Sequence, residues 1–584
     1  MPEQGLFTRI CIFIVCAQLF VVGVVYFFRL DAKVLAIPQI EELLEKYRDK
    51  KNDDNFWYPA HVGQRVWGYV DRHSVRPGEK FNVMLSHRPH QPDFNGRIEI
   101  YRIGWYEGKD RQRVWATGFF RIEAQERTPA STGSAGAGWN TAADVETDGW
   151  ASGYYTIDIL GDDGERDRNV AFIVVVDADP KGDILVKLPT NTYQAYSRFG
   201  GLSFYMATIV ADPSTLVSFD RPTYPTFFDY EYYYVVWLEQ LAQAEKLRVT
   251  YITDFDLHSN GSWPDNYKLL VSVGHDEYWS KEEFDAVERR LFVLGKNMLI
   301  LSGNTAYWQI RYGDLDRPPG APDGGRQLVC FKLAEEPIKY RTPDWKLLLT
   351  TKFRDLNRRP ETMLIGVGLD SWFSADDPKL RYDYRVVDAS LSFFDGTNWK
   401  PGDFTGNHVV GYEWDNRDPD RDGKRSYEKG VSSIAEIPAD RIKVLFEREL
   451  TDFSGKKGKA EAVYFETPAG AKVFNAGSIR WSWGVGKPEE TTASFQTFNR
   501  NLIHYMLADK PEPQLKDKQS EPEPAHKAVA KLKPKPKPAY KPVAKLKPRP
   551  KRNSEPEPTP KPVEQPPSNP PQPDRLLEAP DGFW

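Results

Sequence analysis

From Pro180 onward, short apolar runs alternate with helical ones, and this alternation limits the possible folds more than any other feature of the chain. DILVKLP reads as a buried strand, YYYVVWLEQLAQAEK as a helix and RVTYITDFDL as a strand. KLLVSVGHDEYWS then reads as a strand running into a loop, KEEFDAVERRLFVLGK as a helix, and NMLILSGN as another strand. Alternation of this kind predicts a parallel sheet covered by helices on both faces. KVFNAGSIRWSWG and the helical TTASFQTFNRNLIHYMLA close this α/β domain, which we assign to 179–509. Between about 345 and 470 the pattern turns β-like and turn-rich, and reads as a β-rich insertion packed on that sheet.

Upstream the texture differs. GYVDRHSVRPGEKFNVMLS, RIEIYRIGWY, YYTIDILGDDG and AFIVVVD are short alternating runs separated by Gly and Pro turns. They predict a β-sandwich of immunoglobulin or fibronectin type III style over 60–178. Residues 35–59 read as a linker with a short amphipathic helix. The run ICIFIVCAQLFVVGVVYFF, from Ile10 to Phe28, carries no charge and is bracketed by Arg9 and Arg29. As a helix it is long enough to cross roughly 30 Å of hydrocarbon, so residues 1–34 are expected to be a single-pass transmembrane anchor, with the folded body on the periplasmic side. The basic residues flanking the run leave its orientation open. Residues 510–584 are rich in Pro, Lys and Glu, with AKLKPKPKP returning as AKLKPRPKR. Such composition predicts a disordered, polyproline-like tail.

Charge sharpens the functional reading. The whole chain carries a formal net charge of −5, but the stretch Lys527–Arg552 is wholly basic, and without its eleven positive charges the rest stands at −16. An acidic body argues against nucleic acid as a partner. Of the three cysteines, Cys11 and Cys16 fall in the apolar run and only Cys330 belongs to the body, which excludes a cysteine metal cluster or an intradomain disulfide there.

In an open parallel sheet, ligands bind at the carboxyl ends of the strands. Three strand ends carry unusual residues: LPTNTYQAYSRFGG, GHDEYWS and SGNTAYWQ. Gly274-His275-Asp276-Glu277 is the densest, and His275 and Glu277, two apart in an extended segment, should face the same way. That placement suits a metal ligand with a neighbouring acid or base. There is no H-E-x-x-H, G-x-S-x-G, P-loop or G-x-G-x-x-G. His73 is read as structural or exposed.

GYVDRHSVRPGEKFNVMLS, RIGWY, TNTYQAYSRFGG, SVGHDEYWSKEEFD, ILSGNTAYWQIR and VFNAGSIRWSWG occur in this order over roughly 60–508. Together they resemble the large subunit of N,N-dimethylformamidase. The resemblance implies an immunoglobulin-like β domain followed by a glutamine-amidotransferase-like α/β domain. It also implies a mononuclear ferric iron and hydrolysis of a small amide. By the same resemblance Tyr155, Tyr196 and Glu277 are the expected metal ligands, with Tyr154 and Tyr193 as alternatives should a tyrosine be displaced by a step. His275, Asn304 and Glu413 are the expected acid/base and neighbouring positions. Asn304 has a second reading as the cap of a following helix. A small partner subunit or a homo-oligomer is expected on the same ground. Two phenolates and a carboxylate are hard oxygen donors suited to a trivalent cation. The competing expectation, motivated by the anchor and the basic arm, is a non-catalytic envelope binding or scaffolding protein that keeps the fold.

Overall fold

A computed structural model describes residues 64–508, apart from 89–92, 126–131, 201–202, 206–213, 224, 314–324, 333–335, 337–344, 355–358, 374–379, 418–436 and 438. The apolar run Ile10–Phe28, the linker helix and the 510–584 tail lie outside the described residues. Among those described, no helix is long and apolar enough to cross a membrane. The protein is rich in β-structure and has comparatively few helices.

The N-terminal part is two facing sheets. One joins β1 (Val66–Val70), β3 (Lys80–His87) and β7 (Thr141–Glu146). The other orders β2 (Ser74–Val75), β9 (Arg166–Val175), β8 (Gly153–Gly161), β4 (Phe94–Tyr106) and β5 (Lys109–Ala116), with β6 (Phe120–Ile122) on β4. Val83, Ile98, Ile100, Tyr155, Ile157 and Ile173 fill the space between them. Strand β8 is buried on both sides. Tyr155 points into the sandwich, whereas Tyr154 points outward into the core of the α/β part, stacking on Phe227 at 3.7 Å. This two-sided burial is why GYYTIDILG has no exposed face, its Thr156 and Asp158 being buried as well.

Glu99 lies fully buried in β4. Burial would raise its pKa, but hydrogen bonds from Tyr101, Arg166 and Arg113 hold it at about 2. A depressed carboxylate contributes stability that is present above its ordinary pKa and lost as pH falls through the folded value. Wild-type protein should therefore lose stability between about pH 4.5 and 2. Glu99→Gln should flatten that part of a Tm-against-pH curve at a cost of roughly 1–3 kcal/mol.

The α/β part is built on an eight-stranded sheet. Its order is β12 (Val249–Thr253), β10 (Gly182–Leu188), β13 (Tyr267–His275), β15 (Asn297–Gly303), β23 (Lys472–Asn475), β22 (Lys457–Glu466), β21 (Lys443–Thr451) and β19 (Arg385–Val386). The first five strands are parallel and the last three antiparallel. Alternate residues of β10, β13 and β15 feed two cores. Val186, Val271 and Leu299 face one, and Leu185, Leu270 and Ile300 face the other. Helices α2 (Glu231–Glu245) and α5 (Ala493–Leu507) supply the first core, and α4 (Lys281–Phe292) the second.

Two expectations need correcting. Residues 443–466 do not form a lobe packed on the sheet: β22 hydrogen-bonds onto β23 and β21 onto β22, so that they extend the sheet itself. The run RVTYITDFDL is not all strand either. Thr253 and Asp256 form a capping box that starts helix α3 (Asp254–Ser259).

Two smaller units complete the fold. One sheet joins β11 (Leu216–Ser218), β17 (Gln327–Val329), β16 (Trp308–Tyr312) and β14 (Tyr278–Ser280). A two-stranded ribbon pairs β18 (Gly368–Trp372) with β20 (Glu413–Asn416). His73, expected to be structural or exposed, is buried where the sandwich meets the α/β part, stacked 4.3 Å from Phe255 with Nε2 2.8 Å from the Gly325 carbonyl oxygen.

Candidate active site

The chain leaves β10 for β12 on one side, then returns to β13 on the other side of β10. This reversal of strand order opens a crevice at the carboxyl ends of β10 and β13, the position where such sheets bind ligands. A cluster of polar side chains fills it.

Helix α1 (Thr190–Tyr196) follows β10 directly and delivers Tyr196 at its last turn. The Tyr196 hydroxyl lies 2.8 Å from Glu277 Oε2. Tyr205 donates to Glu277 Oε1 at 2.5 Å, and its hydroxyl lies 3.1 Å from that of Tyr196. Burial and the nearby Glu277 push the Tyr196 phenol well above its ordinary 10; the Tyr205 phenol is pushed the same way where its hydroxyl meets Glu277, although the residue is 43 % exposed. Tyr205 is carried on a segment held down by Phe204, whose amide donates to the Ala195 carbonyl and whose side chain is buried against Tyr278.

The last residue but one of strand β13 is Gly274, whose φ of +85° favours glycine. A Cβ there would sit 1.9 Å from Glu231 Oε1. The next three side chains part ways. Asp276 turns down into a fully buried cluster, 2.7 Å from Lys187 Nζ and 2.8 Å from Trp279 Nε1. His275 and Glu277 face the crevice, His275 Nε2 being 3.2 Å from Glu277 Oε2 and 3.0 Å from Glu413 Oε2. Burial alone would lower the imidazole pKa, but Glu413 and Glu277 together push it up to about 10. Burial would raise the Glu277 carboxyl, but His275 and Lys332 hold it below its ordinary value.

Strand β15 ends on Gly303, where a Cβ would meet Ser478 and Ile479 backbone at 3.0 and 2.9 Å and the Glu413 carbonyl at 3.1 Å. That close approach lets the β18–β20 ribbon lie across the strand end. Asn304 takes a left-handed turn (φ 55°); its amide donates to Asp415 at 2.7 Å and its Nδ2 to Glu413 Oε2 at 2.9 Å. No helix follows it, so the capping reading does not hold. Its Oδ1 is buried without a hydrogen bond.

The family model of the N,N-dimethylformamidase beta subunit-like C-terminal region matches residues 97–493. The chain belongs to this N,N-dimethylformamidase beta subunit-like family. The match spans the sandwich from β4 onward, the central sheet and every residue of the cluster. No curated protein matches the chain. Fourteen solved chains do. One of them, a Paenibacillus sp. cycloisomaltooligosaccharide glucanotransferase complexed with cycloisomaltoheptaose, shares 10% identity over 49% of this chain and 35% of that one, at a TM-score of 0.13. So slight a likeness carries no argument.

Of the residues expected from the dimethylformamidase resemblance, the structure brings together Tyr196, Glu277, His275, Asn304 and Glu413. Tyr155 stands apart. Its hydroxyl donates to the Ala151 carbonyl at 2.6 Å and its ring stacks on Trp150 at 4.8 Å within the sandwich. Nor do the two alternatives reach Glu277: Tyr154 and Tyr193 both pack in the core on one face of the central sheet. The second tyrosine beside Glu277 is Tyr205. Sequence reasoning also missed Tyr412 and Lys332. The Tyr412 hydroxyl lies 3.4 Å from His275 Nδ1, and Lys332 Nζ lies 3.3 Å from the centre of the Tyr205 ring. Burial pulls the Lys332 ammonium down to about 8, against the opposing pull of Glu277. The one signal that could have found Tyr205 is the aromatic pair Phe204-Tyr205 a few residues after TNTYQAY.

Proposed function

We propose that this protein is an iron-dependent amidohydrolase acting on a small amide, with Tyr196, Tyr205 and Glu277 holding a ferric ion. The observation that carries this reading is the convergence of those three side-chain oxygens at a strand end beside the linked His275, Glu413 and Asn304. The donor set fits a hard trivalent cation. All three donors are oxygens, and a phenol, with an ordinary pKa of about 10, ionises at neutral pH only beside a strongly charged ion. Among the described residues no group of three or more His, Cys, Asp or Glu is arranged to hold a metal, so tyrosines are needed to complete the set. When bound, the ion polarises an amide carbonyl and makes water more acidic.

The chain's own residues supply the remaining chemistry. Glu413 accepts a proton from water as its oxygen adds to the carbonyl carbon, then gives that proton to the leaving amine as the C–N bond breaks. Charged His275, set between Glu277 and Glu413, donates to the oxygen that gains negative charge. Asn304 orients Glu413 through Nδ2 and offers Oδ1 to the substrate or to water. The sandwich fits an immunoglobulin-like domain and the α/β part a glutamine-amidotransferase-like one. The run Ile10–Phe28 supports tethering to a membrane with the body outside it, and the beta-subunit character of the family supports a partner subunit.

Ferric ion added to purified protein should give a visible phenolate charge-transfer band, and N,N-dimethylformamide offered as substrate should release dimethylamine. Tyr205→Phe should lose part of that band and most of the bound iron. Tyr155→Phe should keep both while losing about 1 kcal/mol of stability with its hydrogen bond. Equal iron content in Tyr205→Phe and wild type would overturn the ligand assignment. Glu413→Gln should keep its iron and lose roughly 10²–10⁴ in kcat.

A further inference from the structure

Tyr278 has no part in the proposed reaction, yet its hydroxyl sits at the edge of the cluster. The residue opens β14 and is fully buried, its ring packed with Phe204, Val217, Leu328 and Cys330. A phenylalanine would fill that apolar space equally well. A buried hydroxyl is costly unless it is hydrogen-bonded, and this one donates to the Tyr205 hydroxyl at 2.7 Å. The two rings meet edge-on, at 85° with centroids 6.4 Å apart, so that they touch through their oxygen tips.

We infer that Tyr278 is a positioning residue: its hydroxyl donates to the Tyr205 oxygen, fixing where that oxygen sits and stabilising the negative charge it carries when it holds a cation. The inference rests on the reading of Tyr205 as a metal ligand. The direction of donation follows from chemistry, since an ionised Tyr205 has no proton to give and only accepts. Tyr278 also packs on Phe204 at 5.7 Å, the residue that pins the Tyr205 segment. One side chain thus anchors the segment and holds its functional oxygen. Partners that hydrogen-bond to metal ligands commonly matter by 10–100-fold in affinity.

Ferric ion alone, titrated into the full-length protein, provides the test. Tyr278→Phe should move the phenolate-to-iron band to longer wavelength, because an oxygen without its donor holds its electrons less tightly, and should weaken iron binding about 10-fold. In a Tyr205→Phe background the same change should leave the band where it is, since the two residues act as one unit. Should Tyr278→Phe fail to fold, 3-fluorotyrosine at position 278 keeps the shape, strengthens the donor and should move the band to shorter wavelength. A coloured wild type whose band and affinity do not change in either variant overturns the role of Tyr278 and leaves the iron reading standing. So does an equal shift in the Tyr205→Phe background. A wild type that binds no ferric ion removes the iron reading, and this inference with it.

Discussion

Glu277→Ala should abolish both iron binding and amide hydrolysis while leaving a folded protein. Glu277 is the centre of the cluster: both tyrosine hydroxyls meet its carboxylate, and so does His275 Nε2. Its loss removes a charged donor from the first layer around the ion, so the fall in affinity should exceed the roughly 10–100-fold typical of an outer partner. The fold should hold because the residues that shape the turn remain: the His275 amide keeps its bond to Glu231, and Asp276 its buried partners. Iron content by elemental analysis and near-UV circular dichroism on the same sample check both halves. Wild-type iron content in Glu277→Ala would sink the proposed site.

Lys187→Met should be the most destabilising single change near the crevice, at about 3–5 kcal/mol. Lys187 is fully buried and faces Asp254, Asp276 and Glu283, all fully buried too. It is the one cation among three acids, and removing it strands them. The pH dependence has a definite sign. Burial already raises Asp254 to about 6 and Glu283 well above its ordinary range, against the pull of Lys187. Without the lysine both rise further. A carboxyl with a raised folded pKa takes up a proton on folding, so the stability is greatest at low pH and falls as pH rises through the folded value. The deficit against wild type should therefore be small near pH 4 and large above pH 6, which urea unfolding at several pH values would measure. A pH-independent deficit would mean that Lys187 acts by packing alone. Because Asp276 lies between His275 and Glu277, iron affinity should fall with stability.

How far the site was legible in the chain depended on whether a signal was local. The alternation of DILVKLP, KLLVSVG and NMLILSG read as a parallel sheet because each strand is buried on both faces and is therefore mostly apolar, Lys187 being the fully buried charged exception. His275 and Glu277 facing the same way followed from a period of two in extended chain. Tyr155 was misplaced because β8 is buried on both sides, so its tyrosines look equally purposeful in sequence although one fills the sandwich and the other the neighbouring core. Tyr205 escaped because LSFYMAT obeys no period; its position is set by Phe204 finding a pocket against Tyr278, a contact between residues 74 apart. The antiparallel strands at 443–466 looked like an insertion because nothing in an amphipathic hairpin states which sheet edge it will join.

The β18–β20 ribbon has a consequence for how such a protein diversifies. The oxygens proposed to hold the ion come from residues 196–277, whereas the group proposed to move protons, Glu413, arrives on a two-stranded ribbon laid over the end of β15. The ion-holding residues and Glu413 are thus encoded in separate stretches, which meet where His275 faces Glu413 and Tyr412, with Asn304 bracing Glu413 from the end of β15. Drift in the ribbon can retune which bond is cleaved, or silence cleavage, while the ion-holding half stays unchanged. Descendants of one ancestor could in this way come to share a metal and differ in reaction.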